Sequence, residues 1–154
     1  MKTKKQLISL FIALTTAKSK GGAKFKYAIL KNIKTIESEI DALRTIETET
    51  AEILNQYIEA KNAIISKYGK EVNGVPMIQP TDENYKVALK EIKVLDTQFS
   101  AEIELHAAKT KEYAELLDSE IDTEYAFIEI QPEVLPDDIT DVEMEELMKW
   151  EIVK

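Results

Sequence analysis

The stretch ILKNIKTIESEIDAL, residues 29–43, decides the fold because its apolar positions repeat with the period of an α-helix. The repeating side chains follow one another at spacings of four and three residues: Ile29, Ile33, Ile36, Ile40 and Leu43. This spacing places them on one face of a helix, with charged residues on the other face. The sequence therefore predicts an amphipathic helix that packs its apolar face against another element.

The same rhythm extends the predicted helix toward the carboxyl terminus. It resumes with Ile53, Tyr57, Ala60, Ile64 and Tyr68. Neither proline nor glycine interrupts the chain between Gly22 and Gly69. We therefore expect one helix over residues 24–68, about 65 Å long. Its stretch 44–50 is polar and β-branched, which predicts a weak point or kink there.

A second helix is predicted over residues 84–121. It keeps the same rhythm of apolar and aromatic side chains: Tyr85, Leu89, Ile92, Phe99, Ile103, His106, Tyr113, Leu117 and Ile121. Residues 69–83 form a short connector, so the two helices read as a long, antiparallel, coiled-coil-like helical hairpin. The connector contains Asn73-Gly74, a strong signal for a tight turn inside a small β-hairpin.

The two ends of the chain complete a mainly α fold, predicted as a single domain over 1–154. Residues 1–20 carry lysines before an apolar run, a pattern shared with secretion signals. We favour a short helix that buries Leu7, Phe11 and Leu14 over a cleaved signal. Residues 125–154 form an acidic tail, with a short strand predicted at 125–130 and a helix at 141–150.

The long apolar faces predict self-association, because the hairpin covers only part of each stripe. We expect a homo-oligomer, or a host or viral protein partner, with these interface residues: Leu43, Ile53, Tyr57, Ile92, Phe99 and Ile103.

Composition excludes several functional classes. The 154 residues include one histidine and no cysteine, so disulfides, thiolate metal sites and multi-histidine metal sites are ruled out. No apolar run approaches the roughly 20 residues that span a bilayer. No catalytic constellation is recognisable, so we expect neither an enzyme nor a cofactor or metal site.

Charge is distributed unevenly along the chain. Residues 1–36 contain nine lysines and no acid, whereas residues 115–154 contain fourteen acids and two lysines. Two explanations remain open. The basic end binds an anionic partner, or it packs on the acidic end, within one chain or head to tail between chains.

A candidate ligand site lies at the start of the predicted long helix. It combines lysines, an aromatic ring and an amide: Lys24, Lys26, Tyr27, Lys31 and Asn32. Free backbone N–H groups and lysines at a helix N-terminus suit a phosphorylated small ligand, and Tyr27 could stack on a base. The alternative is that Phe25 and Tyr27 pack on the N-terminal helix and the lysines are solvated. There is no strong case for DNA.

Three short motifs resemble those of small uncharacterised helical proteins of tailed bacteriophages and prophages. They are Lys-x-x-Tyr-x-x-x-Lys-Asn at 24–32, Lys-Tyr-Gly-Lys at 67–70, and Leu-Pro-Asp-Asp-Ile-Thr at 135–140. The chain departs from that pattern with Ala23 between Gly22 and Lys24, and with an Asn-Gly turn instead of an acidic one. The resemblance implies a viral origin and a place in the bacterial host cytoplasm or in the virion. It implies no known activity.

Three functions are compatible with these features. The first is a non-enzymatic phage protein that binds or sequesters a host component or an anionic nucleotide-type signal, and so neutralises a defence system. The second is a virion structural or assembly protein that packs through its helical hairpin. The third is a host-derived helical adaptor or chaperone.

Overall fold

The computed structural model describes residues 1–154 and confirms a mainly α-helical fold with a small β element and a short C-terminal helix. The helices are α1 (Lys4–Ala17), α2 (Ala23–Glu52), α3 (Asn55–Tyr68), α4 (Tyr85–Gln98), α5 (Ser100–Asp118) and α6 (Asp141–Lys149). The strands are β1 (Lys70–Val72) and β2 (Val75–Met77), and a 3₁₀ turn covers Pro132–Val134.

The chain, predicted as one domain, comprises two compact units. One contains residues 1–46 and 113–154, and we call it the core unit. The other contains residues 47–112, and we call it the hairpin unit. The boundaries fall within α2 and α5, so both helices continue from one unit into the other.

The predicted helix over 24–68 is interrupted at Ile53 and Leu54, where a turn separates α2 from α3. The apolar stripe also changes direction before this break. Ten residues separate Leu43 from Ile53, so in a continuous helix the two halves of the stripe would lie about a fifth of a turn out of register. The Thr-rich stretch 44–50 stays helical, and the Thr45 hydroxyl donates to the Asp41 carbonyl one turn earlier at 2.9 Å.

The second predicted helix is also divided, at Phe99. The Thr97 hydroxyl donates to the carbonyl of Lys93 at 3.2 Å, a bond that often bends helices. Backbone hydrogen bonding continues across the division, since Phe99 donates to Leu95 and Ile103 donates to Phe99. The second predicted helix ends at residue 121, whereas α5 ends at Asp118.

In the hairpin unit, α3 and α4 pack together as an antiparallel pair. Tyr57 pairs with Asp96 and Tyr68 with Glu91, so advancing along one helix means retreating along the other. The predicted β-hairpin between them is confirmed. Asn73 and Gly74 both have positive φ angles, 52° and 79°, which is the conformation that the tightest β-hairpin turns require.

Position 69, directly after α3, requires glycine for a steric reason. A Cβ atom at this position would lie 2.4 Å from the Met77 carbonyl oxygen and 2.6 Å from that of Ile65. Only glycine therefore lets β2 approach the end of α3 this closely.

The core unit is built around α1, the first part of α2, and α6. Its large, fully buried apolar side chains include Leu7, Leu10, Leu14, Phe25, Ile29, Ile36, Ile130, Leu147 and Ile152. The predicted burial of Leu7 and Leu14 is confirmed, whereas Phe11 is half-buried beneath the guanidinium of Arg44, 4.6 Å from its ring centroid. Capping boxes begin α1 at Thr3 and α6 at Thr140, the second as predicted.

The strand predicted over residues 125–130 is wrong, since these residues form no sheet. No strand lies beside them to share a ladder of hydrogen bonds. The backbone polar groups of Ile128 instead bond to the side chain of Asn32, and the Ile130 N–H donates to the Ile152 carbonyl at 2.7 Å. The apolar side chains of the segment are nevertheless used, because Ile130 is buried in the core.

Candidate binding face on the second helix

The start of α2 separates its side chains into two opposite faces. One face is buried in the core unit and contains Phe25, Ala28, Ile29, Asn32 and Ile36. The other is exposed, and its members recur at helical spacing. We call Lys24, Tyr27, Leu30 and Lys31 the lysine–tyrosine face.

Two large side chains of this face are exposed. Tyr27 has 60% and Leu30 has 53% of its surface accessible, although the opposite side of the same helix is packed in the core. Single exposed apolar residues are ordinary, but two neighbours one turn apart form a small apolar patch. The patch is held on a rigid base because the helix beneath it is anchored by Phe25 and Ile29.

The charges around this patch are positive. The Lys31 ammonium lies 5.7 Å from the centroid of the Tyr27 ring, within reach of a cation–π contact. Lys24 and Lys31 contact no carboxylate. Lys34, one turn further on, pairs with Glu37 at 2.8 Å, and that hydrogen bond raises the pKa of Lys34. The face therefore offers two uncompensated cations around an aromatic ring.

Lys26 is also exposed, and it flanks Leu30 from the preceding turn. Its backbone N–H donates to the Gly22 carbonyl at 3.0 Å, so this position is already part of the first hydrogen-bonded turn of α2. Three of the five predicted ligand residues, Lys24, Tyr27 and Lys31, therefore share one exposed face. Lys26 is exposed but lies about 200° around the helix from Lys24.

Asn32, the fifth, does not belong to this surface, and its assignment to the ligand site is corrected. It is completely buried, and its amide nitrogen donates to the Ile128 carbonyl at 3.0 Å while its amide oxygen accepts from the Ile128 N–H at 2.7 Å. The sequence contained the signal. Asn32 lies three residues after Ile29 and four before Ile36, which places it on the apolar stripe.

The surface near the start of α2 is only shallowly concave. A groove of about 360 Å³ is lined by Gly22, Ala23, Lys24, Phe25, Glu133 and Val134. Tyr27 does not line it, and the carboxylate of Glu133 opposes a phosphate there. Small-molecule sites are usually enclosed and apolar. This geometry suits contact with an extended anionic surface better than enclosure of a nucleotide.

Other N-terminal lysines contact the acidic end of the same chain. Lys20 forms an ion pair with the buried Glu143 at 2.7 Å, and Lys4 donates to the Glu120 carbonyl at 3.0 Å. Intrachain packing therefore accounts for part of the charge asymmetry. It does not account for Lys24 and Lys31.

The Glu143 carboxylate is strongly biased toward its charged form. Burial alone would raise its pKa, but hydrogen bonds from the Lys20 ammonium and the Thr140 backbone N–H outweigh that effect and lower the pKa to about 2. Lys20 also donates to the Asp138 carbonyl at 3.0 Å. The Lys20–Glu143 ion pair therefore links the start of α6 to the segment that precedes α2.

None of the six predicted interface residues is fully exposed. Leu43 is buried, and the other five residues are half-buried: Ile53, Tyr57, Ile92, Phe99 and Ile103. The rings of Tyr57 and Phe99 meet edge to face at 5.9 Å. The two aromatic residues therefore contact one another within the chain, and other side chains form the outer surface of the hairpin unit.

No group of three or more His, Cys, Asp or Glu side chains is positioned to hold a metal ion. None of the helices combines the length and the apolar character that crossing a bilayer requires. No protein-family model, curated protein or solved structure matches this chain.

Proposed function

We propose that this chain is a non-enzymatic interaction protein that binds an anionic partner through the lysine–tyrosine face. The observation behind this proposal is the pair of exposed side chains Tyr27 and Leu30, set between lysines that have no carboxylate partner. Aromatic and aliphatic anchors surrounded by charge are typical of binding surfaces.

The partner contributes negative charge and a surface that covers the Tyr27 ring. Lysine ammonium groups bond to carboxylates and phosphates with charge-assisted hydrogen bonds, which are stronger than neutral ones. In one form of the proposal, the partner is the acidic surface of a host component, which the open geometry favours. In a second form, it is a phosphorylated host signal of the nucleotide type, whose base stacks on the exposed Tyr27 ring without being enclosed. Because the sequence resembles phage and prophage proteins, we propose that this binding takes place in the bacterial cytoplasm and neutralises a host defence.

Calorimetry with two probes tests the proposal: a cyclic dinucleotide and a poly-glutamate peptide. The double variant Tyr27→Ala/Lys31→Ala should weaken binding at least tenfold, because one charge-assisted contact contributes about 1.5–3 kcal/mol. The matched control is Lys93→Ala/Val94→Ala, which removes an exposed lysine and an exposed apolar residue from α4. Circular dichroism verifies folding of both variants.

The outcomes separate the forms of the proposal. Binding of the dinucleotide supports sequestration of a signal, and binding of the peptide alone supports an acidic protein partner. If the unmutated chain binds neither probe, the partner of the lysine–tyrosine face is neither a nucleotide signal nor an acidic peptide. If the control variant loses as much affinity as the double variant, the lysine–tyrosine face is not the binding site.

A second candidate function is that of a virion structural or assembly protein. It is favoured by the outer surface of the hairpin unit, which exposes several apolar side chains: Ile58, Val72, Val75, Met77, Val87, Leu89 and Val94. Exposed patches of this kind often mark protein interfaces. Presence of the chain in purified virus particles at many copies per particle would support this function over the first.

A further inference from the structure

A second concave surface lies in the core unit, between α1 and α6. This α1–α6 groove has a volume of about 530 Å³, and its lining includes Ile12, Ala13, Thr16, Val142, Glu143 and Glu146. Ile12 and Val142 line the groove from different helices and are 57% and 70% exposed. Two large aliphatic side chains thus face solvent around one apolar depression.

The α6 side of this groove is acidic, whereas α1 on its other side contains two lysines and no acid. Residues 137–146 contain six acids and no lysine or arginine. Glu143 is compensated by Lys20, and Lys149 pairs with Glu145 and Glu146 at 3.0 and 2.9 Å. Asp137 and Asp141 are exposed and have no lysine partner. The two acids that line the groove are thus paired, and the unpaired acids lie at its α6 rim. This rim suits an apolar ligand surface that carries positive charge.

The lysine–tyrosine face has those complementary properties. Residues 24–34 contain four lysines and no acid, and their exposed apolar side chains are Tyr27 and Leu30. Opposite charges on two surfaces steer their encounter and fix the orientation in which they meet. The face and the groove share no residue, so a contact between them joins two different patches.

We propose that the lysine–tyrosine face of one copy docks into the α1–α6 groove of a second copy. The inference rests on the proposed function and names a second copy of this chain as the anionic partner. Because the two patches differ, the contact is heterologous, and each copy keeps one free patch after pairing. The chains therefore add head to tail into assemblies larger than a dimer.

Two variants remove one patch each. Tyr27→Ala/Lys31→Glu destroys the face and keeps the groove, whereas Ile12→Lys/Val142→Lys destroys the groove and keeps the face. All four positions have exposed or solvent-facing side chains, so folding should survive, and circular dichroism verifies it. Should the groove variant fail to fold, Val142→Lys alone replaces it, since this side chain is the more exposed of the two.

Sedimentation velocity across a concentration series gives the decisive result. The unmutated chain should form species beyond a dimer, weakened at least tenfold by raising the salt from 0.05 to about 0.5 M because surface charges are then screened. Each variant alone should stay monomeric. An equimolar mixture should give a dimer and nothing larger, because one intact face meets one intact groove.

Two results would overturn the inference. If the unmutated chain associates but the equimolar mixture of the two variants stays monomeric, the interface is formed by the same patch on both copies. A strictly monomeric unmutated chain at several hundred micromolar would exclude a second copy as the partner. Binding of the cyclic dinucleotide or the poly-glutamate peptide by that monomer would leave the proposed function standing, so the two failures are distinguishable.

Discussion

The core unit and the hairpin unit use similar helices but obtain their cohesion differently. In the core unit, α1, α2, α6 and the tail enclose many side chains completely, among them Leu10, Phe25 and Ile130. In the hairpin unit only Ala88 and Leu95 are buried, while Val94 is 68% exposed. Two packed helices cover one seam, whereas several elements can surround a core.

Partly exposed polar contacts join the two helices of the hairpin unit. The Tyr57 hydroxyl donates to the Asp96 carboxylate at 2.6 Å, and this hydrogen bond raises the pKa of Tyr57. Tyr68 bonds to Glu91, which also lies 3.6 Å from the Lys67 ammonium. Partly exposed contacts of this kind stabilise a fold weakly. The difference indicates that the core unit is a rigid scaffold and that the hairpin unit is the less stable part of the chain.

Truncating one phenylalanine in each unit should give the largest difference. Phe25→Ala removes a fully buried ring and should lower the free energy of unfolding by about 3–5 kcal/mol. Phe99→Ala removes a half-buried ring and should lower it by about 1–2 kcal/mol, since less apolar surface is lost. Urea unfolding measures both. Equal losses would show that the two cores are comparable.

An asparagine in each unit gives the next comparison. Asn32→Ala leaves the N–H and C=O groups of Ile128 without their partners, which should lower stability by about 2–4 kcal/mol. Asn62→Ala, on the exposed side of α3, should be neutral or slightly stabilising because alanine is the better helix former. Thermal melting checks both variants. A neutral Asn32→Ala would show that water replaces the amide.

The ion pair of the core unit predicts a dependence on pH. Because the pKa of Glu143 is lowered from 4.5 to about 2, its contribution is complete above pH 4.5 and is lost as the pH falls toward 2. The loss should be about 2–3 kcal/mol. Glu143→Gln should remove this part of the acid dependence, and the exposed Glu145→Gln should keep it. Unfolding curves between pH 5 and 2 for the three proteins provide the measurement, and superimposable pH dependences would contradict the assignment.

The sequence predicted correctly the features that depend on interactions between neighbouring residues. The Asn73-Gly74 turn and the Thr140 capping box are confirmed because each depends on a few neighbouring residues. The apolar stripe of α2 likewise identified its buried face, including Leu43.

The failures arise where the fold brings distant residues together. The segment 125–130 has strand-like residues but no neighbouring strand. The backbone of Ile128 in this segment bonds to the side chain of Asn32, which lies 96 residues earlier in the sequence. Asn32 adjoins the lysine cluster in the sequence, but its position on the helix is internal, and its amide bonds to Ile128. The break near Ile53 has no proline or glycine to mark it, so the sequence predicted one long helix. The only sign of it is the change in direction of the apolar stripe between Leu43 and Ile53.

Native-state hydrogen exchange tests the central claim, that the two units differ in stability, most directly. At low denaturant, amides of α1, of α6 and of the first half of α2 should exchange only through global unfolding. Amides of α3 and α4 should exchange through local opening, at a free energy at least about 2 kcal/mol lower. One common free energy for all of these helices would contradict the account and make the chain a single cooperative unit.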